Sequence, residues 1–379
     1  MTTPFEHSTP LDPDGADFPP AIREEALRMM QAPYAERVLA TLLLRSVDQV
    51  PLLELARSAM ALRASAPQDR FVWVATDDLV YTQVPAWHWR MLQDEARSKA
   101  YCDAIEANVR PGMLVLEIGA GTGLLAMMAA RAGAEQVITV EENPLMADIA
   151  KSCIALNGLE DRITVLNAHS TDLTVGEHLP RHADLLVHEI LSSSIVTEGM
   201  VPSLTHARAE LLTAEAPLLP DVIEVRAALS GDMTQGEVPW WSVEGFDLSP
   251  IAKIDAATHG MPGRAMRRRL SPAVHIADID LRDPRVGDQQ IYQSTLTADQ
   301  AGTATGTEQW MTVLFPGGVR LTSEDSRSHW GTCYTPFAAK REVARGDQVT
   351  IETIRGAAKM SIGLAANELE VDGRWTAGL

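Results

Sequence analysis

The pattern of apolar and polar positions changes character three times along the 379-residue chain. Residues 1–20 are rich in Pro and Asp and poor in apolar groups, which predicts a disordered tail, because so little buried surface cannot offset the entropy of ordering. Over 21–70 apolar residues recur at helical spacing: Ala26, Leu27 and Met30, then Val38, Leu39, Leu42 and Leu43, then Leu52, Leu53, Leu55 and Met60. This predicts an N-terminal segment of two or three amphipathic helices, either packed on the next domain or offered to a partner. Over 71–219 short apolar runs alternate with helical patterns, with strands expected at Leu114–Ile118, Val137–Glu141, Ile163–Leu166 and Leu185–Glu189. That rhythm belongs to an α/β unit with a parallel sheet and crossover helices. Over 220–379 the period becomes two, as in Val222–Ala228, Trp310–Leu314 and Val349–Ile354, which predicts an antiparallel β domain.

Composition narrows the class. A formal net charge of −19 repels polyanions, which argues against a nucleic-acid partner and favours basic substrates. Three cysteines, Cys102, Cys153 and Cys333, stand without CxxC spacing, so no metal site and no disulfide framework is expected. There is no secretory leader and no run of transmembrane length, so a cytoplasmic protein with no membrane partner is expected.

The strongest local signal runs Leu114-Val-Leu-Glu117-Ile-Gly119-Ala-Gly121-Thr-Gly123-Leu-Leu, a strand leading into a glycine turn and then an apolar helix. Glycines serve where backbone turns tightly and meets a ligand. A dinucleotide turn would carry its third glycine where Leu124 stands. The sequence reads instead Glu-x-Gly-x-Gly-x-Gly, as in class I methyltransferases, which bind S-adenosyl-L-methionine. Glu141, twenty-two residues after Gly119, is placed at the end of the next strand to accept both ribose hydroxyls. Ser170 and Thr171, after the third strand, are placed for the adenine edge.

Further motifs resemble the protein arginine N-methyltransferase family. Trp87-His88-Trp-Arg-Met91-Leu-Gln-Asp94-Glu-Ala-Arg97 is similar to its N-terminal element His-x-x-Met-Leu-x-Asp-x-x-Arg. Glu189-Ile-Leu-Ser-Ser-Ser-Ile-Val-Thr-Glu198-Gly-Met200 resembles its double-glutamate loop, with the two acids nine positions apart. Ser328-His329-Trp330 resembles its Thr-His-Trp loop, and Trp240 to Ile251 resembles the stretch before its dimerisation arm. The resemblance implies a Rossmann-like domain followed by a β-barrel domain, and a homodimer made through an arm at about 250–272. It implies cofactor contacts from His88, Met91, Arg97 and Glu117 besides the glycine turn, with Arg97 pairing to the cofactor's carboxylate. It implies substrate contacts from Met200 and Trp330, with Met91 and Met200 against the acceptor nitrogen, and a catalytic set of Glu189, Glu198 and His329.

A guanidinium keeps its charge and spreads its nitrogen lone pairs by resonance. Two carboxylates can fix its plane and draw positive charge away from the attacking nitrogen, so the pair Glu189 and Glu198 points to transfer onto arginine in a protein or peptide. His329 then supports the loop or takes up the released proton. Transfer to another nitrogen or an oxygen, or a silent cofactor-binding scaffold, are the competing readings. The glutamate loop departs from the family's common Glu-Trp-Met-Gly-Tyr, which bears on the acceptor pocket and leaves the cofactor site intact.

Overall fold

The computed structural model describes residues 8–84, 86–233, 242–248, 267–283, 285–324, 327–358 and 360–365. Two compact units divide them. One contains residues up to Arg90 together with Asn143–Ile149, and the other contains Met91–Glu142 and everything from Ala150 onward.

The first unit is helical: α1 (Arg23–Met29), α2 (Ala35–Arg45), α3 (Leu52–Ser65), α4 (Arg70–Ala75), α5 (Asp77–Tyr81) and the start of α6 (Trp87–Gln93). Leu39, Leu42 and Leu43 on α2 and Leu55, Ala59 and Leu62 on α3 form the apolar stripe that the spacing predicts, and all are buried. Two boundaries need correction. Residues 8–20 are ordered: Phe18 is 1% exposed in the helical core, Thr9 N–H donates to Ala64 O at 2.8 Å, and Ser58 donates to Asp17 O at 2.6 Å. One well-placed aromatic anchors a segment whose average composition reads as disordered. The helical unit also runs past residue 70, because Val72 and Leu79 join its core and Arg63 is held by Thr76 Oγ1 at 2.8 Å.

The second unit begins with α7 (Glu95–Asn108) and continues through β1 (Leu114–Ile118), α8 (Leu124–Arg131), β2 (Gln136–Glu141), the latter part of α9 (Pro144–Leu156), β3 (Ile163–Asn167), β4 (Leu185–His188), α10 (Met200–His206) and β5 (Leu218–Leu219). The strands form one parallel sheet in the order β3-β2-β1-β4-β5. Every residue of β1 and β4 is buried, so these runs read as continuous rather than alternating. The strand order reverses between β1 and β4, and a ligand crevice opens at the carboxyl ends of strands at such a point.

The chain then turns to antiparallel structure in β6 (Val222–Met233), β7 (Ser242–Val243), β8 (Phe246–Asp247), β9 (Arg267–Arg269), β10 (Val274–Asp280), β11 (Gln290–Thr297), β12 (Gly302–Leu314), β13 (Arg320–Thr322), β14 (Cys333–Val343), β15 (Gln348–Arg355) and β16 (Met360–Leu364). One sheet is built on β10-β6-β12-β13, with β14 on β12 and β9 on β6. A second runs β11-β15-β16, and β7 pairs with β8. These barrel-like sheets share a continuous apolar core with the parallel sheet: Ile223, Val225, Val313 and Ile351 belong to the same buried cluster as Leu116 and Val187. Most of the expected arm, residues 249–266, lies outside the described residues. Among the described residues no helix is long and apolar enough to cross a membrane.

Candidate active site

Strand register brings the candidate residues together. Ile118 pairs with His188 and with Val140, so Gly119, Glu189 and Glu141 all stand at the carboxyl ends of adjacent strands β1, β4 and β2. The strand ends where this topology usually binds a ligand therefore carry residues that the motifs single out.

On the β1 side the chain makes a turn that requires glycine. Gly119, Gly121 and Gly123 have φ of 85°, 53° and 77°, and a Cβ at Gly123 would meet Ile154 Cδ1 at 3.1 Å. Gly121 N–H donates to Glu141 Oε2 at 2.9 Å, which ties the turn to the end of β2. Glu117 is buried on β1, beside its register partner Thr139, whose hydroxyl donates to Oε2 at 2.5 Å. Burial pushes the Glu117 carboxyl up to about 8 against that hydrogen bond.

On the β4 side the acids meet a relay of charged groups. Asp94 caps α7, accepting Arg97 N–H at 2.9 Å, and its other oxygen accepts from His329 Nδ1 at 3.0 Å. His329 Nε2 lies 3.2 Å from Glu189 Oε1, and Arg97 NH2 donates to Glu189 Oε2 at 2.8 Å. All four side chains are 6% exposed or less, so these contacts act in a low dielectric. Burial alone would raise Glu189, but Arg97 and His329 outweigh it and hold the carboxyl below its ordinary range. Glu198 stands on the loop after β4 and is exposed as a whole residue. Loss of hydration and repulsion from Glu189 push it up to about 7, with His329 opposing. The two glutamates thus titrate apart, one firmly ionised and one near neutrality.

Arg97 also stacks over the Tyr101 ring at 5.0 Å, and its Nε and NH1 are buried with no hydrogen-bond partner among the described residues. A buried guanidinium with two unmatched donors is suited to a further carboxylate. Together with the glycine turn and Glu141, this matches the amino-acid and nucleoside ends of an S-adenosylmethionine molecule. Met91 and Met200 are both buried, with Met91 Cε within 3.9 Å of a Cβ built at Gly121. Trp330 is buried and donates from Nε1 to Leu191 O at 3.0 Å, so its indole is bound into the glutamate loop rather than open to a substrate.

Three further candidates have protein partners of their own. Ser170 is buried and its hydroxyl donates to Ser203 Oγ on α10 at 2.8 Å, while Thr171 meets His169 Nδ1 at 2.7 Å. The His88 ring stacks on Trp87 at 3.8 Å. Asp94 and Tyr101 hold the site from behind, roles that the motifs do not show. Asp94 holds the histidine, and Tyr101 donates to His188 O at 3.0 Å, fixing the residue before Glu189. The signal for Asp94 was present as an Asp three positions before Arg97, the spacing of a helix cap.

The parallel sheet, its glycine turn and the acids at the switch point define a class I methyltransferase. A family model described as ribosomal protein L11 methyltransferase (PrmA) matches residues 99–210. Over 326 residues the chain is 33% identical to the arginine N(omega)-methyltransferase of Streptomyces achromogenes subsp. streptozoticus, covering 83% of this chain and 88% of that one. It is 40% identical over 304 residues to protein arginine N-methyltransferase 7 of Oryza sativa subsp. indica, covering 68% of this chain and 42% of the relative's length. Among solved structures, the Trypanosoma brucei PRMT1 enzyme-prozyme heterotetrameric complex with AdoHcy has a similar fold at TM-score 0.61 and 21% identity, covering 71% of this chain and 87% of that one. The chain belongs to the arginine N-methyltransferase family.

Proposed function

We propose that this protein transfers the methyl group of S-adenosylmethionine to a guanidino nitrogen of arginine in a protein or peptide substrate. The observation that carries this reading is the pair Glu189 and Glu198 at the β4 end, with Glu189 anchored by Arg97 and His329. S-adenosylmethionine, when bound, would supply an electrophilic methyl, the carbon–sulfur bond breaking to leave a thioether as the carbon–nitrogen bond forms and the acceptor nitrogen's proton passes to solvent. Glu189 and Glu198 orient the guanidinium and concentrate its positive charge on the nitrogens they bind, which leaves more electron density on the attacking one. Glu198, near neutrality in the free protein, ionises as the cation arrives. His329 keeps Glu189 in place, and Asp94 keeps His329 in place. Arg97 serves two partners, holding Glu189 with NH2 and presenting Nε and NH1 to the cofactor's carboxylate. Gly119, Gly121, Gly123 and Glu141 take the rest of the cofactor, with Glu117 bracing the turn from beneath.

The test is acceptor chemistry. With labelled cofactor, an arginine peptide and a matching lysine peptide are compared by mass spectrometry, with free arginine as a third arm. The expected product is methylated arginine in the peptide. Comparable transfer to lysine overturns the guanidinium reading, because a compact ammonium cannot use a planar two-carboxylate grip. Transfer to free arginine alone replaces the protein substrate with a small one. The protein is a homodimer in this reading, supported by the Trp240 to Ile251 stretch, and light scattering at micromolar concentration should give twice the chain mass. A cytoplasmic location accords with cysteines that form no disulfide among the described residues.

A further inference from the structure

The segment from Ile190 to Gly199 is bent against the preferences of its own residues. Ile195 and Glu198 have φ of 71° and 56°, the left-handed region, and Ile195 is fully buried. A β-branched residue there is an outlier, and such conformations persist only where the surroundings over-determine them. Part of the restraint is internal. Ser192 and Thr197 hydroxyls are hydrogen-bonded, Ser194 N–H donates to Ser192 Oγ at 3.0 Å, and Ile195 N–H donates to Ser192 O at 2.9 Å.

The rest comes from the barrel-like sheets, at the start of β14. Trp330 Nε1 donates to Leu191 O at 3.0 Å, the Ser193 hydroxyl donates back to Trp330 O, and Cys333 Sγ donates to Ser193 O at 3.0 Å. These bonds run in both directions between two segments about 140 positions apart, and the same barrel segment delivers His329 to Glu189. Ser193 is the residue that both gives and receives. It also stands where the resembled loop commonly carries a tyrosine, so this chain has a short hydroxyl in place of a bulky ring.

We propose that Ser193 is a positioning residue for methyl transfer: locked to Trp330 and Cys333, it holds the strained loop so that Glu198 faces the acceptor together with Glu189. This rests on the arginine-transfer reading above. Its consequence is selective, since the clamp touches the acceptor side and leaves the glycine turn alone.

The test compares Ser193→Ala with Ser193→Thr, measuring kcat and KM for an arginine peptide, cofactor affinity by calorimetry and thermal melting. Ser193→Ala should lower kcat/KM about ten-fold, with cofactor affinity and melting temperature near those of the wild type, and Ser193→Thr, which keeps the hydroxyl, should recover most of the loss. Cys333→Ala approaches the same loop from the other side and should lower kcat/KM in the same direction, which keeps the idea testable if Ser193→Ala misfolds. Unchanged turnover in both Ala variants overturns the clamp. So does a loss matched by weaker cofactor binding and lower melting with no rescue by Thr, since Ser193 is then a general fold element. Wild-type transfer in the same assay separates the two levels. An active wild type with indifferent variants overturns the clamp alone, and a wild type inactive on arginine overturns the underlying reading with it.

Discussion

The glycine turn after β1 and the glutamate loop after β4 leave neighbouring strands at matched register, yet they are held by different physics. The turn is a steric object. Its three glycines adopt positive φ, its amides bond to the end of β2, and everything it needs lies within about thirty residues of sequence. The loop is an electrostatic object: Glu189 takes its position from Arg97, ninety-two residues earlier, and His329, one hundred and forty later. In the proposed reading a nucleoside meets a surface shaped by backbone, and a cation meets one tuned by charges drawn from distant segments. Damage to the first should remove binding, and damage to the second should spare binding and remove rate.

The largest expected effect is therefore Gly121→Val. A branched side chain at φ 53° strains the turn and intrudes where a ligand meets the backbone, so calorimetry should detect no cofactor binding. Arg97→Ala tests the residue that spans both sides. It should weaken cofactor binding by about 1.5–3 kcal/mol through the lost charged contact, and it should also lower turnover, because Glu189 loses its cation. A turnover change without an affinity change would confine Arg97 to the acceptor side. His329→Ala is milder, at about ten-fold in kcat with unchanged cofactor affinity, since Arg97 still holds Glu189.

Two pH effects sharpen the contrast. Glu198 has to be ionised to grip a cation, so kcat/KM should rise with pH through about 7, and that limb should vanish in Glu198→Gln. Glu117 acts on stability instead. Its folded pKa of about 8 lies above the ordinary value, so between the two the folded state keeps a proton that the unfolded chain has released. Its contribution to stability is present at low pH and is lost as pH rises toward 8. Melting followed from pH 5 to pH 8 should show a smaller decline in Glu117→Gln than in the wild type.

The same contrast explains what could be read from the amino acids. The strand Leu114–Ile118 begins and ends where its apolar run does, because periodicity and a glycine turn are local signals. The antiparallel region was visible as period two, but its strand order was not, since β6 pairs with β12 and β10 across long separations that no local pattern encodes. Residues 8–20 misled because average composition hides the single residue Phe18 that pins them. The glycine turn and both glutamates stand out in the sequence as motifs, whereas the bond between Ser170 and Ser203 does not, because a serine after a strand carries no sign of its partner. The Ser193 clamp was equally hidden, for its partners lie in the barrel segment at Trp330 and Cys333.

In the proposed reading, charge on the loop after β4, and not the fold alone, directs the methyl group to a guanidinium. The direct measurement is the rate of transfer to an arginine peptide by Glu198→Gln at saturating cofactor, beside its cofactor affinity. Glutamine keeps the size and one acceptor of the side chain and removes only the charge. The rate should be lower by about 10² to 10³ with cofactor affinity near that of the wild type. A Glu198→Gln protein that methylates arginine at the wild-type rate would contradict this reading.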